Sequence, residues 1–317
     1  MTGGPQGVLV LGEALIDLVP VAGEPGLLRA QPGGAPANVA IGLARLGGQA
    51  AFAGTLGGDG FARTLERWLT VAGVELGLCG RSDRPTALAV ADPGEAGNGY
   101  HFHLQDTATF RLPDRTADVA RFGAVYVGGL AAVVDPAARA VLATAHAATR
   151  HSLLVVDPNV REDRTIGPER SLGRLRELCA LAHVVKASDE DVAWLWPDRD
   201  PDESCRRLAG EGRLVIMTRG ARGSTAYVHG AAPVSVPAVS VEVVNTIGAG
   251  DAFMAAVLTW LSTTGGWERA LSPARAVAML EFASLVAASV VAQTGTEPTA
   301  PAAVGLPGGS MRPCAGS

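Results

Sequence analysis

The chain has 317 residues, of which 48% are hydrophobic, and its formal net charge is −5. That length and apolar content suffice for a large buried core, in one domain or in one and a half. The mild acidity argues against nucleic acid or an anionic membrane surface as the main partner, and an aromatic content of 5% argues against a base-stacking platform. The opening residues, MTGGPQGVLVLGE, lack the basic n-region of a signal peptide, so we expect a cytoplasmic protein.

Strand-like and helical segments alternate along most of the chain. The run VLVLG at Val8 predicts a buried strand, and ANVAIGLARLG from Ala37 predicts a helix that ends at glycines. Because the predicted strands are almost entirely apolar, the pattern indicates a mostly parallel sheet covered by helices on both faces. The later segments, in order, are AAFAGTLG, FARTLERWLTVAG, AVYVGG, a helix from Pro136, SLLVVDPN, a helix from Arg170, HVVKAS, a helix around Trp194, and RLVIMTRG.

Two regions interrupt this alternation. The segment from Asp17 to Pro32 is rich in Gly and Pro and is predicted to be irregular. Between Pro85 and Leu112, the strand-like runs TALAVAD and YHFHLQ flank the turn cluster PGEAGNG, which predicts a small antiparallel β-lid. We therefore expect a single domain over residues 1–317, with a lid formed by about 15–34 and 84–112.

Two C-terminal segments and the cysteines complete the general picture. The apolar run that starts at Val277 is short for a membrane span and contains Glu281, so it predicts a buried helix. The final GLPGGSMRPCAGS is expected to fray. The four cysteines form no CxxC pair, which argues against a zinc site or a disulfide framework, and we interpret the first three as packing residues. The four cysteines of the chain are Cys79, Cys179, Cys205 and Cys314.

Polar residues gather where the predicted strands end. In open α/β sheets, ligands bind at the carboxyl ends of the strands, so residues at several of these ends are expected to share one site. Each of them alone is more typical of a cap or a turn, and the shared edge is what favours a site. The residues are Asp17, Asn38, Asp157, Asn159, Arg161, Lys186, Ser188, Thr218 and Arg219, and Lys186 is the only lysine of the chain.

The stretch NTIGAGDAFMAAVL, which begins at Asn245, places three small residues directly before an acid at the start of a helical pattern. The first amides of a helix lack partners and carry partial positive charge. Gly248, Ala249 and Gly250 keep side chains away from those amides, so an anion can approach them. By itself the stretch fits a capped helix as well as an anion site with Asp251 beside it.

With these motifs in place, the sequence resembles the ribokinase-like (PfkB) family of sugar kinases over nearly its whole length. The resemblance is carried by GGAPANVAIGLARLGGQAAFAGTLGGDGFA from Gly33 and by NTIGAGDAF from Asn245, with LGEALID and TRGARGS in support. The chain contains no GxxxxGK[ST] sequence, so phosphates must be held in another way. The segments VVDPNVR, VKASDEDVAWL and YHFHLQDTATFRL are most similar to those of fructokinases.

The resemblance implies a ribokinase-like three-layer α/β/α sandwich and an ATP-dependent, Mg²⁺-assisted transfer of phosphate to a ketose, fructose above all. It implies that Asp251 is the base and that the amides of Gly248, Ala249 and Gly250 hold the transferring phosphate. It is compatible with a homodimer through the lid, but the sequence does not give the oligomeric state. The other implied contacts are Asp17, Gly33, Gly34, Asn38, His103 and Arg161 for the sugar, and Lys186, Ser188, Thr218, Gly220 and Gly223 for the nucleotide.

Two positions depart from the family pattern. Asn245 stands where the family usually has an Asp that helps to bind a monovalent cation; an Asn keeps the oxygen and loses the charge, so we expect a weakened K⁺ response. The family's Asn-x-x-Glu motif, tied to magnesium, is Ser188-x-x-Asp191 here, and Asp191 could act on Mg²⁺ through water.

Three functions remain open at this point. The first is a fructokinase. The second is a kinase of 2-keto-3-deoxygluconate, ribose or another furanose. Arg161 could touch phosphate or pair with an acidic sugar. Relatives that bind the acidic sugar usually carry a second arginine in the lid, where this chain has His101 and His103, and two neutral imidazoles suit a neutral sugar better. The third is a weakly active binding protein of the same fold, for which Asn245 is the only indication.

Overall fold

In the computed structural model, residues 7–21, 23, 24, 26–91, 100–161, 167–264, 271–293, 295 and 298 are described. The predicted turn PGEAGNG and the predicted C-terminal fraying lie outside these residues. Over the described part, the chain forms an eight-stranded sheet, a four-stranded sheet and a two-stranded pair.

The eight-stranded sheet is mostly parallel, as predicted. Its strand order is β14-β13-β12-β11-β10-β9-β1-β4, and the six strands from β12 to β4 run parallel to one another. The other two, β13 and β14, add antiparallel at one edge. The strands of this sheet are β1 Val8–Leu11, β4 Ala50–Ala53, β9 Ala124–Gly128, β10 Leu153–Asp157, β11 Val184–Ser188, β12 Leu214–Thr218, β13 Ser224–Tyr227 and β14 Val234–Val236.

Helices cover both faces of this sheet, which confirms the predicted three-layer sandwich. The alternation of side chains along a strand explains the two cores: in β1, Val8 and Val10 pack into one hydrophobic layer and Leu9 and Leu11 into the other. The first layer contains α1 Ala35–Arg45, α2 Gly60–Val71, α7 Ala249–Thr263 and α8 Pro273–Val291; the second contains α3 Ala137–His151, α4 Pro168–Leu181, α5 Asp189–Leu195 and α6 Pro201–Gly210.

A second sheet, which we call the lid sheet, has the order β3-β2-β7-β8. Its strands come from the two segments expected to form the lid. The remaining pair, β5 with β6, extends beyond β4 after the chain bends at Gly54. The bounds are β2 Leu15–Pro20, β3 Leu28–Gly33, β7 Leu88–Ala91 and β8 Tyr100–His103 in the lid sheet, with β5 Thr55–Leu56 and β6 Gly80–Arg81 in the pair.

The prediction that Asp17 to Pro32 is irregular was wrong. Most of this segment forms the antiparallel pair of β2 and β3, in which Asp17 is opposite Gln31. Pro32 is compatible with β3 because that strand lies at the edge of the sheet, where a missing N–H is tolerated. The Gly and Pro residues that indicated a loop are divided between the end of β2 at Pro20, the connection with Gly23 and Gly26, and β3 with Pro32.

The apolar segment from Val277 is part of α8, which packs against α7. Among the described residues, α8 is the one helix long and apolar enough to cross a membrane by length and composition. Half of its most apolar window is nevertheless buried inside the protein, which is typical of a core helix. The N-terminus of α8 is capped by the side chain of Ser272, which accepts a hydrogen bond from the amide of Arg275.

Candidate active site

A cavity of about 670 Å³, which we call the main cavity, lies between the carboxyl ends of the parallel strands and the lid sheet. Several residues predicted from separate motifs line it together. They come from lid strand β2, from the start of α1, from the ends of β11 and β12, and from the first turn of α7. The predicted residues that line the main cavity are Asp17, Gly34, Asn38, Asn159, Arg161, Lys186, Ser188, Asp191, Thr218, Gly248, Gly250 and Asp251.

Asp251 is 9% exposed, in the first turn of α7, and is held by a side chain from another element. Asn38 on α1 donates a hydrogen bond from Nδ2 to Asp251 Oδ2 at 2.8 Å. Burial raises the pKa of Asp251 to about 6, although the bond from Asn38 lowers it. A carboxylate with a pKa near neutrality, fixed by one oxygen, has the properties of a general base.

Asp17 faces this pair from the lid. Burial, and then the negative charge of Asp251, raise the pKa of Asp17 to about 6, while the charge of Arg161 lowers it. A Cβ on Gly33, the residue at the end of β3, would lie 2.0 Å from Asp17 Oδ2. Gly33 therefore leaves the space that the Asp17 carboxylate occupies, and this is how it contributes to the site without lining the main cavity.

The glycine turn before Asp251 is only partly as predicted. Gly248 is the N-cap of α7 and has φ 81°, a left-handed conformation that favours glycine. The amide of Ala249, however, donates to the carbonyl of Thr246 at 3.3 Å, and Ala249 does not line the main cavity. The prediction that all three small residues present amides to an anion is therefore corrected: Gly248 and Gly250 line the main cavity, and Ala249 closes the turn.

Lys186 lies directly behind this turn. Its Nζ donates to Asp157 Oδ2 at 2.9 Å, and the two side chains are 7% and 0% exposed. Burial lowers the pKa of Lys186, but the charges of Asp157 and Asp191 outweigh burial and hold the pKa above its ordinary value. A Cβ on Gly250 would lie 3.4 Å from Nζ, so a permanent cation stands next to the first amides of α7.

Ser188 and Asp191 form a capping box at the start of α5. The amide of Asp191 donates to Ser188 Oγ at 3.0 Å, and the amide of Ser188 donates to Asp191 Oδ2 at 2.9 Å. The other oxygen of Asp191 accepts the amide of Val160 at 2.8 Å. Both carboxylate oxygens are thus engaged by the backbone, and the capping box is a structural reason for the Ser-x-x-Asp spacing.

The described residues contain no group of three His, Cys, Asp or Glu side chains that could hold a metal ion. Mg²⁺ in phosphoryl transfer is commonly held by substrate phosphates, water and one or two carboxylates, so the donor set of Asp191 and Glu190 at the main cavity fits that manner of binding.

Asn245 does not line the main cavity. Its Oδ1 accepts the amide of Ile247 at 3.0 Å, and its own amide donates to Val291 O at 3.1 Å. The side chain therefore shapes the turn that leads to Gly248, in the way that an Asx turn does.

The predicted TRGARGS turn at the end of β12 has one residue in the main cavity, Thr218. Gly220 and Gly223 belong to the short 3-10 turn that follows and do not line it. A Cβ on Gly223 would lie 2.1 Å from the carbonyl oxygen of Val236, so close packing against β14 already explains this glycine.

The assignment of His103 to the sugar site does not fit the structure. Successive side chains of a strand point to opposite faces. In β8, Tyr100 and Phe102 line the main cavity, whereas His101 and His103 are exposed and do not line it. YHFHLQ forms a strand as predicted, but His103 is on the face away from the main cavity.

Sequence reasoning missed Glu13, which is 2% exposed and lines the main cavity. Its Oε1 and Oε2 accept the amides of Leu130 and Ala131 at 3.0 and 2.9 Å. Burial raises the pKa of Glu13 to about 7, although these two amides lower it. The available signal was an acid directly after a fully apolar strand, within LGEALID.

Comparisons with known proteins identify the family of this chain. The model of the family described as "pfkB family carbohydrate kinase" matches residues 5–303. A fructokinase from Escherichia coli is 34% identical over 267 residues, which cover 81% of this chain and 85% of the relative.

Two solved structures are also similar. A fructokinase from Xylella fastidiosa with bound ATP has a TM-score of 0.83 at 27% identity, over 93% of this chain and 96% of the other. A fructokinase double mutant from Vibrio cholerae O395, in a form with bound fructose, ADP and potassium ion, has a TM-score of 0.81 at 27% identity, over 93% and 95% of the two chains.

Proposed function

Because the chain belongs to the pfkB family of carbohydrate kinases, we propose that it transfers a phosphoryl group from ATP to fructose and forms fructose 6-phosphate. The observation that carries the proposal is the buried carboxylate of Asp251, fixed by Asn38 and facing Asp17 across the main cavity. The similarity to fructokinases at about one-third identity supports the choice of sugar.

In this mechanism Asp251 removes the proton of the attacking hydroxyl. Asn38 occupies Oδ2 of Asp251, so Oδ1 is the oxygen left to receive the proton. A pKa of about 6 keeps Asp251 ionised at neutral pH and still basic enough to accept a proton as the bond to phosphorus forms.

The transferring phosphate lies at the start of α7, against the amides of Gly248 and Gly250. ATP, when bound, supplies the phosphoryl group that is transferred. Lys186 adds a fixed positive charge beside these amides, where negative charge accumulates during the transfer. Ser188 and Thr218 are proposed to contact the nucleotide, and Asp191 to contact Mg²⁺ through water, since its oxygens are already engaged by backbone amides.

The sugar lies under the lid, where Asp17, Gly34 and the remaining oxygen of Asn38 offer partners for hydroxyl groups. Oδ1 of Asn38 is buried and has no hydrogen-bond partner among the described residues. A polar atom of this kind is costly unless a ligand satisfies it. A sugar hydroxyl at this position would donate the missing hydrogen bond.

A neutral sugar fits this site better than 2-keto-3-deoxygluconate. Carboxylates of Glu13, Asp17 and Asp251 line the main cavity, and its lid strand β8 contributes Tyr100 and Phe102 rather than a cation. Arg161 is the one arginine lining it within the described residues. An acidic sugar would therefore meet more like charge than opposite charge, whereas ribose remains a neutral alternative.

A monovalent cation is a weaker part of the proposal. A neutral Asn245 whose oxygen already accepts the Ile247 amide offers less to K⁺ than a carboxylate would. We propose that K⁺ binds weakly and that the Asx turn replaces part of its ordering effect.

A homodimer through the lid sheet is also proposed. Leu27 and Leu28 are 48% and 39% exposed at its edge and border a shallow apolar groove with Val90 and Ala91. A second copy would cover these side chains. Light scattering should give about twice the monomer mass for the natural protein and the monomer mass for Leu28→Glu.

The test of the proposed activity is a coupled ADP assay with ATP, Mg²⁺ and fructose, ribose, 2-keto-3-deoxygluconate or glucose, followed by NMR of the product. Fructose should have the highest kcat/KM and be phosphorylated at its primary C6 hydroxyl. Asp251→Asn should keep the fold and lower kcat by about 10²-fold or more. A higher kcat/KM with another sugar would overturn the substrate. No turnover with any sugar would favour the binding-protein alternative.

A further inference from the structure

A second cavity of about 860 Å³ lies on the opposite side of the lid sheet. One wall consists of β8 and the segment that follows it, residues 104–111. The other consists of the turn at 133–136 and the first turn of α4. Among the described residues, Phe102 is the one that lines both this second cavity and the main cavity.

The second cavity has a mixed lining of apolar and polar side chains, with two arginines and two carboxylates among them. Leu88, Phe110 and Val133 contribute apolar surface, and Phe110 is 2% exposed. Arg111 comes from the lid side and Arg170 from α4. A small molecule in the second cavity would therefore meet a guanidinium from each wall.

These two arginines are held only loosely. Arg111 lies 3.8 Å from Asp106, a carboxylate that Arg84 binds at 2.8 Å. The Arg170 side chain is 73% exposed and lies 3.9 Å from a second carboxylate, Asp135. Ion pairs at such distances between exposed side chains contribute little to stability, so either arginine can readily exchange its carboxylate for a better partner.

The second carboxylate is engaged elsewhere as well. Asp135 accepts two hydrogen bonds from Arg174, at 3.0 and 2.8 Å, and lies 3.6 Å from Arg139. Within the described part of the chain, the ion pairs around the second cavity thus join five arginines to two carboxylates. Both carboxylates line the second cavity together with Arg111 and Arg170. Arginines outside the lining bind them closely, Arg84 at Asp106 and Arg174 at Asp135, so the charges of Arg111 and Arg170 remain available for an anion.

We propose that the second cavity binds a small organic phosphate, with its phosphate group between Arg111 and Arg170 and its carbon body against Leu88, Phe102 and Phe110. Guanidinium groups bind phosphate oxygens in paired, planar hydrogen bonds, and two of them from separate elements match a dianion with several acceptor oxygens. The apolar side chains of Leu88 and Phe102 in the lining distinguish this site from a surface patch that would take inorganic phosphate equally well.

The test is a calorimetric titration of the full chain with glucose 6-phosphate, inorganic phosphate and glucose as probes. A saturating mixture of fructose, Mg²⁺ and a non-hydrolysable ATP analogue keeps the probes out of the main cavity. We expect glucose 6-phosphate to bind at one site, inorganic phosphate to bind at least tenfold more weakly, and glucose not to bind.

The variants Arg111→Gln and Arg170→Gln should each weaken glucose 6-phosphate binding by tenfold or more. The matched control is Arg139→Gln, which removes the same charge beside Asp135 without touching the second cavity and should change binding less than twofold. Thermal melting establishes that each variant is folded.

Three results would overturn the proposal: no binding of glucose 6-phosphate, equal weakening by Arg139→Gln, or tighter binding of inorganic phosphate than of the ester. The site does not depend on the proposed sugar. If fructose failed to occupy the main cavity, the Arg111 and Arg170 variants would still decide the question, because neither residue lines that cavity.

Discussion

The buried pair of Lys186 and Asp157 has a structural role and a proposed catalytic role, and two substitutions can separate them. Nζ and Oδ2 are 2.9 Å apart, in side chains that are 7% and 0% exposed. Removal of one partner of such a pair leaves a buried charge uncompensated and costs about 3–5 kcal/mol. Lys186→Met should therefore lower the free energy of unfolding by about 3–5 kcal/mol.

Adding Asp157→Asn to Lys186→Met removes the unpaired carboxylate. We expect the double variant to regain about half or more of the lost free energy of unfolding, since a neutral amide is far cheaper to bury than a carboxylate. Its kcat should nevertheless stay about 10²-fold or more below that of the natural protein, because the cation beside Gly250 is gone and the loss of one preorganised group costs about that much.

The assays are urea unfolding followed by tryptophan fluorescence and the coupled ADP assay, on the natural protein, both single variants and the double variant. The single variant Asp157→Asn is the control, because it alters the pair and keeps the cation. Recovery of kcat together with stability in the double variant would show that Lys186 serves only to neutralise Asp157. A loss of less than 1 kcal/mol in Lys186→Met would refute the description of Lys186 and Asp157 as a buried pair in which each charge compensates the other.

Three further predictions concern the main cavity. With a pKa of about 6, Asp251 gains a proton as the pH falls through 6. The kcat/KM for fructose should therefore decrease as the pH is lowered from 6 to 5. A kcat/KM that stays constant down to pH 5 would contradict the role of Asp251 as base. Gly33→Ala should displace the Asp17 carboxylate and raise the fructose KM about tenfold at an unchanged ATP KM. The control Gly173→Ala, where a Cβ would meet nothing within 4 Å, should leave both KM values unchanged. Equal effects of Gly33→Ala on both KM values would be inconsistent with a sugar site. Asn245→Asp should strengthen the activation by K⁺, measured as the initial rate against K⁺ concentration at constant ionic strength. Equal K⁺ titration curves for the natural protein and the variant would exclude this effect.

Local sequence patterns determined the family, the layer architecture and the position of the helix N-terminus at Asp251. Strands such as VLVLG read as buried because both of their faces are apolar, and the order of strands and helices then allows few arrangements other than a covered parallel sheet. The run of small residues before Asp251 likewise predicts a helix N-terminus at which backbone amides are accessible. These features depend on neighbours in sequence, so the sequence alone reveals them.

Tertiary structure decided which groups are available for chemistry. A strand period of two is the same for either face, so only the packing of the lid could select Tyr100 and Phe102 over His101 and His103. Glu13 became part of the site because the loop at Leu130, more than a hundred residues away, brings two amides to its carboxylate.

The same holds for residues whose type was recognised and whose partners were not. Both carboxylate oxygens of Asp191 accept hydrogen bonds from backbone amides, those of Ser188 and Val160. The amide of Ala249 closes a turn instead of facing the main cavity. Sequence therefore determined where the parallel strands and their covering helices lie and which polar groups reach the edge of the sheet, but not the strands β2 and β3 of the lid sheet. Only the fold decided whether each group meets the substrate or another part of the chain, because that depends on long-range hydrogen bonds and packing that no local pattern encodes.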